Sequence, residues 1–161
     1  CRGMSDFQVR NPNYIERVRE SFARQSFMTT IGAELLDVLP GGVDIRLPYH
    51  DGLCQQHGYF HGGVIGTLAD NAGGYAAFSL MAPEDTLLTV EYKMNIVAPG
   101  DGDALITRGR VLRPGRTLTV CRAEVFAVKE GREKLCATAL CTLMTLEGQE
   151  DTPDRHQPKT G

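Results

Sequence analysis

Residues 62–81 read GGVIGTLADNAGGYAAFSLM and form the one long helical pattern in the sequence. At roughly 100° per residue, Val64, Ile65, Leu68, Ala72 and Tyr75 gather on one side, a stripe for core packing. Gly62, Gly66, Ala69, Gly73 and Ala77 gather on another. An interior helical glycine costs about 1 kcal/mol against alanine. The small stripe therefore implies either a sheet wrapped closely around the helix or a ligand approaching its backbone. Asp70 sits mid-helix among Gly63, Gly66, Thr67, Gly73, Gly74 and Ala77, which offer neither cover nor a cation. Its carboxylate is then either solvated or set in a cleft, where it suits a general base or nucleophile. Gly62 and Gly63, at the helix start, either form a plain glycine cap or present N–H groups to a carbonyl or oxyanion. Asp70 lies about 12 Å along the axis from Gly62, too far for one carbonyl to reach both groups of one chain. If both act in one reaction, the site spans two subunits of a dimer.

Outward from this helix, the order of elements indicates one α+β domain. Asn11-Pro12 reads as an N-cap and first helical residue, opening a helix to about Gln25 with Tyr14, Ile15, Val18 and Phe22 on one face. AELLDVL and VDIRLPY flank Pro40-Gly41-Gly42 as strand, turn and strand. Residues 48–61, PYHDGLCQQHGYFH, form a loop bearing glycine and histidine. After the central helix come four strands, near 86–97, 104–112, 117–128 and 135–146, separated by turns rich in Gly, Pro or charge. The short turns predict a mostly antiparallel sheet of six strands. The domain reads as 27–146, preceded by a tail and helix over 1–26 and followed by a polar, disordered tail over 147–161. Met4 reads as a natural start, with Cys1-Arg2-Gly3 as an addition.

Composition narrows the classes. A net charge of −3 gives no broad basic surface for nucleic acid. No apolar run reaches the roughly 18 residues of a membrane helix. The five cysteines have no CxxC spacing and read as reduced residues of a cytoplasmic protein. His50, His57 and His61 lack a Cys or acid at ligand spacing, so no metal site is expected.

The run Gln55-Gln56-His57-Gly58-Tyr59-Phe60-His61-Gly62-Gly63, followed by Leu68-Ala69-Asp70, resembles the HGG motif of hotdog-fold acyl-CoA thioesterases. It is most similar to the phenylacetic-acid-degradation type. TVEYKMNIVAPG (89–100) and RVLRPGRTLTVCRAEVFA (110–127) resemble the following family blocks. The resemblance implies a long central helix wrapped by a six-stranded antiparallel sheet. It also implies homodimers, often paired into tetramers, that hydrolyse acyl-CoA. Carried over residue by residue, Asp70 matches the catalytic acid and Gly62 the residue whose N–H polarises the thioester carbonyl. His61 matches the positioning histidine, and Thr89 falls near the attacking water. Many relatives carry Asn where this chain has Gln55, so a longer arm would position the carboxylate, water or thioester.

The expected substrate contacts are Gly63, Thr67, Tyr59 and Phe60 near the acyl group, with Arg113 and Arg116 at the CoA phosphates. No cofactor is expected beyond the CoA of the substrate. Two other readings use the same residues: a non-catalytic acyl-CoA-binding module, and a hotdog enoyl-CoA hydratase.

Overall fold

The computed structural model describes residues 7–152. Its elements run α1 (Tyr14–Arg24), α2 (Ser26–Ile31), β1 (Glu34–Leu39), β2 (Gly42–Pro48), a short 3-10 turn (Asp51–Leu53), α3 (Gly62–Phe78), β3 (Thr86–Ile96), β4 (Ala104–Arg113), β5 (Leu118–Lys129) and β6 (Arg132–Leu146). The six strands form one sheet in the order β1-β2-β4-β5-β6-β3, with every neighbouring pair antiparallel. The sheet wraps α3, so the fold is the expected α+β hotdog architecture.

Helix α3 is buried except along one edge through Gly63, Thr67, Asp70, Asn71 and Gly74, and Asp70 is its one charge. Ile65, Leu68, Ala72 and Tyr75 are core residues, as their spacing predicts. Of the small stripe, Gly66, Ala69, Gly73 and Ala77 are buried as well, and close wrapping accounts for much of it. A Cβ on Gly73 would lie 2.9 Å from Cys141 Sγ, and one on Gly66 would lie 3.2 Å from the Tyr92 hydroxyl. The tightest approach comes from the sheet side. A Cβ on Gly109 of β4 would stand 2.1 Å from the Ala72 carbonyl oxygen, a backbone atom of α3 that cannot swing away. Gly109→Ala should therefore destabilise the domain by about 3 kcal/mol or more, seen as a lower urea midpoint.

Two local features differ from the expectation. Asn11 does not cap α1: its Oδ1 accepts from the Asn13 N–H at 2.9 Å, and the helix begins at Tyr14. That small side-chain turn carries the chain past Pro12 before helical geometry starts. Second, Ser26–Ile31 forms a separate helix, ended by Gly32 in the left-handed conformation (φ 77°). The sequence leaves the partner of β3 open; β3 pairs with β6, so its connection to β4 passes two strands.

The described part of the C-terminal segment lies against the domain. The Gly148 N–H donates to Asp85 Oδ1 at 3.0 Å, and Asp151 pairs with Arg24 at 2.8 Å. The expected addition at 1–3 and the tail from 153 onward lie outside the described residues.

Candidate active site

Asp70 lies in the wall of a cavity of about 500 Å³. Helix α3 contributes Asp70, Asn71, Gly74 and Tyr75, one turn apart along the same side. Strand β3 contributes Leu87, Leu88 and Thr89. The solvated-surface reading of Asp70 thus gives way to the cleft reading. The Thr89 hydroxyl donates to Asp70 Oδ1 at 2.8 Å. Local sheet geometry explains the aim of Thr89. Thr89 pairs with Leu143 and Glu91 with Thr142, which leaves Val90 as an extra residue, and such a bulge redirects its neighbours.

Among the described residues no cation pairs with Asp70. Burial pushes its carboxyl above the ordinary carboxylate value, and the Thr89 hydrogen bond pulls it partly back. Thr89→Val removes that opposing effect. It should shift the acid limb of the pH–rate profile to higher pH, because the carboxylate then protonates sooner. An unshifted limb would separate Thr89 from the ionisation of Asp70.

The other half of the predicted site lies at the opposite end of the exposed helix edge. His61 is the N-cap of α3, and its Nδ1 accepts from the Gly63 N–H at 2.9 Å. Gly63 is therefore not a free donor. The Gly62 N–H has no hydrogen-bond partner among the described residues. Thr67 donates to the Gly63 carbonyl at 2.9 Å, which ties it to the helix. Gln55 holds its own loop, its Oε1 accepting from the His57 N–H and its N–H bonded to the Tyr59 carbonyl. None of Gln55, His61 or Gly62 lines the Asp70 cavity of the same chain.

The remaining expected contacts divide. Phe60 is 2% exposed and stacks edge-on with Tyr49 at 5.7 Å, so it is core and not an open acyl wall. Tyr59 is exposed and lines a different hollow. Arg116 pairs with Glu147 at 3.1 Å beyond the end of β6, and Arg113 is exposed.

Several cleft residues were not singled out from sequence. Ser21 and Arg24 of α1 and its C-cap Gln25 roof the cavity together with Asp151. Gln25 donates to the Tyr75 hydroxyl at 2.9 Å and accepts from Asn71 at 2.9 Å, while Tyr75 and Ser21 hydroxyls lie 3.0 Å apart. This chain of polar groups locks α1 onto α3 beside Asp70. The faint signal for it was the face of α1 carrying Val18 and Phe22, which required α1 to pack on something.

The buried thiols of Cys121, Cys136 and Cys141 are pushed up to about 12, 11 and 11 by burial, so they are poor nucleophiles. Among the described residues no group of three His, Cys, Asp or Glu side chains could hold a metal ion, and no helix is long and apolar enough to cross a membrane.

A model of the thioesterase superfamily matches residues 57–134. A thioesterase family protein from Silicibacter pomeroyi is 48% identical, with 84% of this chain and 99% of that chain covered at a TM-score of 0.82. This chain belongs to the thioesterase superfamily. Within that superfamily it is 25% identical to the 1,4-dihydroxy-2-naphthoyl-CoA hydrolase of Listeria monocytogenes, over 71% of this chain and 90% of that one. It also shares its fold with the PaaI protein of the E. coli phenylacetic acid degradation operon, at 19% identity and a TM-score of 0.74, covering 83% and 94% of the two chains. Membership of the superfamily supports a hydrolase-type enzyme acting on thioesters.

Proposed function

We propose that this thioesterase-superfamily protein hydrolyses acyl-CoA thioesters to the free acid and CoA, at sites shared between two subunits. The observation that carries this reading is the split of the site. A carboxylate with a raised pKa stands in a cleft, while an unpartnered N–H waits about 12 Å further along the same helix. Neither half works alone, and a two-fold dimer with antiparallel helices would join them twice.

Strand β3 supports such a dimer. It is an 11-residue edge strand beside the cleft, with Leu88 and Val90 57% and 56% exposed and Tyr92 exposed as well. A long apolar edge with unpaired backbone groups invites pairing with another strand. Pairing of β3 with its two-fold mate would lay Thr89 of one subunit toward the Ile96 end of the other. Gly62 adjoins that end, since a Cβ there would touch Ile96 Cδ1 at 3.2 Å.

In the reaction, the Asp70 carboxylate takes a proton from water as that water attacks the thioester carbon, or attacks the carbon itself. The Gly62 N–H of the other subunit stabilises the oxyanion. Collapse breaks the C–S bond. On the base route the proton held by Asp70 passes to the departing CoA sulfur. On the direct route CoA leaves as the thiolate, and water then hydrolyses the Asp70–acyl anhydride, giving its proton to the thiolate and freeing the acid and Asp70. His61 holds the helix entry in place through its cap. Gln55, with its Nε2 still available, positions the thioester or water. The Listeria relative, named for hydrolysis of an aroyl-CoA, supports CoA as the thiol.

The test is thiol release from a panel of aryl and C4 to C16 acyl-CoA thioesters. Turnover of at least one class supports the reading. Binding without turnover across the panel favours the non-catalytic module, and water addition to an enoyl-CoA favours the hydratase.

A further inference from the structure

The two ends of the Asp70 cleft are built by different parts of the chain. A Cβ on Gly66 would meet Tyr92, Asp70 meets Thr89, and a Cβ on Gly74 would meet Leu87. Helix α3 and strand β3 therefore run side by side in opposite directions along the cleft. Asp70 and Thr89 mark the reacting end. From there β3 leads back to Thr86, about 10 Å away, and α3 leads on to Phe78, about 12 Å away. Leu87, Leu88 and Leu146 give the stretch between an apolar wall.

The far end is formed by residues beyond β6. That strand stops at Leu146, opposite Thr86. Gly148, at φ 67°, turns the chain, and its N–H donates to Oδ1 of the buried Asp85 at 3.0 Å. Glu150, Asp151 and Thr152 then line the cleft. Asp151 is held from two sides. Arg24, in the last turn of α1, donates to its backbone carbonyl at 2.9 Å and to its Oδ2 at 2.8 Å. The Thr86 hydroxyl, at the start of β3, donates to its Oδ1 at 3.3 Å. Asp151 thus bridges the helix that roofs the cleft and the strand that walls it, at the end away from Asp70.

The bridge adds little to the stability of the domain, because both partners of the ion pair are partly exposed. Its effect falls on what can pass. It sets two opposite charges and a backbone carbonyl where an apolar chain would leave the cleft. A methylene arriving there must strip water from those groups or displace the segment, and either is costly.

We infer that residues 147–152 form the end wall of the acyl subsite, and that Asp151, held by Arg24 and Thr86, limits the length of the acyl group. The inference rests on the acyl-CoA reading above. An extended chain advances about 1.2 Å per bond, so the roughly 10 Å from the reacting end to the bridge holds about eight carbons. Asp151 is a specificity-determining residue and touches no reacting atom.

The test is calorimetric binding of S-alkyl-CoA thioethers from C4 to C16, which cannot be hydrolysed, to the whole protein and to its Asp151→Ala and Arg24→Ala variants. Each methylene buried in an apolar cleft tightens binding about fourfold. In the unmodified protein that gain should stop near C8. In Asp151→Ala it should continue, raising the ratio of C12 to C6 affinity at least 10-fold, and Arg24→Ala should move the ratio in the same direction. Melting temperatures serve as the fold control. A ratio unchanged in folded Asp151→Ala overturns the inference, as does an equal loss at every chain length, which marks a merely structural role. A gain that runs past C12 in the unmodified protein, or no thioether binding at all, overturns it too. Failure of the hydrolase reading is seen separately: thioethers bind with the C8 limit while the matching thioesters release no thiol.

Discussion

Asp70→Asn should lower acyl-CoA hydrolysis at least 100-fold, in keeping with loss of a positioned acid–base group. The amide is nearly isosteric with the carboxylate and can still meet the Thr89 hydroxyl, whose oxygen lies 2.8 Å from Asp70 Oδ1. What it cannot do is accept a proton from water or attack a carbonyl. Stability supplies an independent readout with a definite sign. Burial raises the Asp70 pKa above its unfolded value, so the folded state favours the protonated form. The native state is then favoured as pH falls through the raised value toward the ordinary one, and the buried charge opposes folding above it. At neutral pH the Asn variant should therefore melt at or above the temperature of the unmodified protein. A variant that is inactive and also less stable would point to a structural role for Asp70 instead. In the unmodified enzyme the rate should fall on the acid side at a pH above the ordinary range of a free aspartate.

Gly62→Pro should cost about 100- to 1,000-fold in kcat, the usual price of one lost oxyanion donor. Proline removes only the N–H at this position. Gly62 is the first residue of α3, where proline is well tolerated and no intrahelical bond is lost. His61 before it has φ −62° and ψ 140°, the extended conformation that a following proline requires. A Cβ at 62 meets only the tip of Ile96, at 3.2 Å, and that side chain can rotate away. The fold should persist while the catalytic donor disappears. Gly62→Ala adds the same Cβ but keeps the N–H, so it should cost far less. Equal damage from Pro and Ala would assign the loss to crowding against Ile96.

Much of this organisation is legible in the chain before folding. The alternating runs and Pro-Gly turns mark β3 and β4 nearly to the residue, because turn residues and strand residues there differ sharply in character. β6 starts three residues earlier than its apolar pattern, at Arg132. The charged run 129–134 looks like a loop, yet Glu130 and Gly131, both at positive φ, make a tight hairpin turn that forces Lys129 and Arg132 to pair. The partner of β3 is not legible, since strand order depends on how the sheet closes around α3 rather than on local pattern. At the site, the eight-residue spacing of Gly62 and Asp70 exposes the two-subunit problem from helix geometry alone. Thr89 enters through family resemblance, and its aim depends on a bulge at Val90 that no local pattern announces. The roof of Ser21, Gln25 and Asp151 depends on packing between distant segments, and the polar tail gave no sign of it. Occupation of the Gly63 N–H by His61 is likewise a matter of rotamer and cap geometry.

The most direct test of a shared site is subunit complementation between the two inactive variants. Asp70→Asn and Gly62→Pro proteins are unfolded together in equal amounts, refolded, and assayed for thiol release. In a mixed dimer one site joins an intact Asp70 to an intact Gly62, and the other site carries both defects. Random pairing makes about half of the dimers mixed, so activity should recover to about a quarter of that of the unmodified enzyme. Recovery to that level, absent when either variant is refolded alone, is the expected result. Activity of the mixture no greater than the mean of the two separate variants would contradict it and place each active site within a single chain.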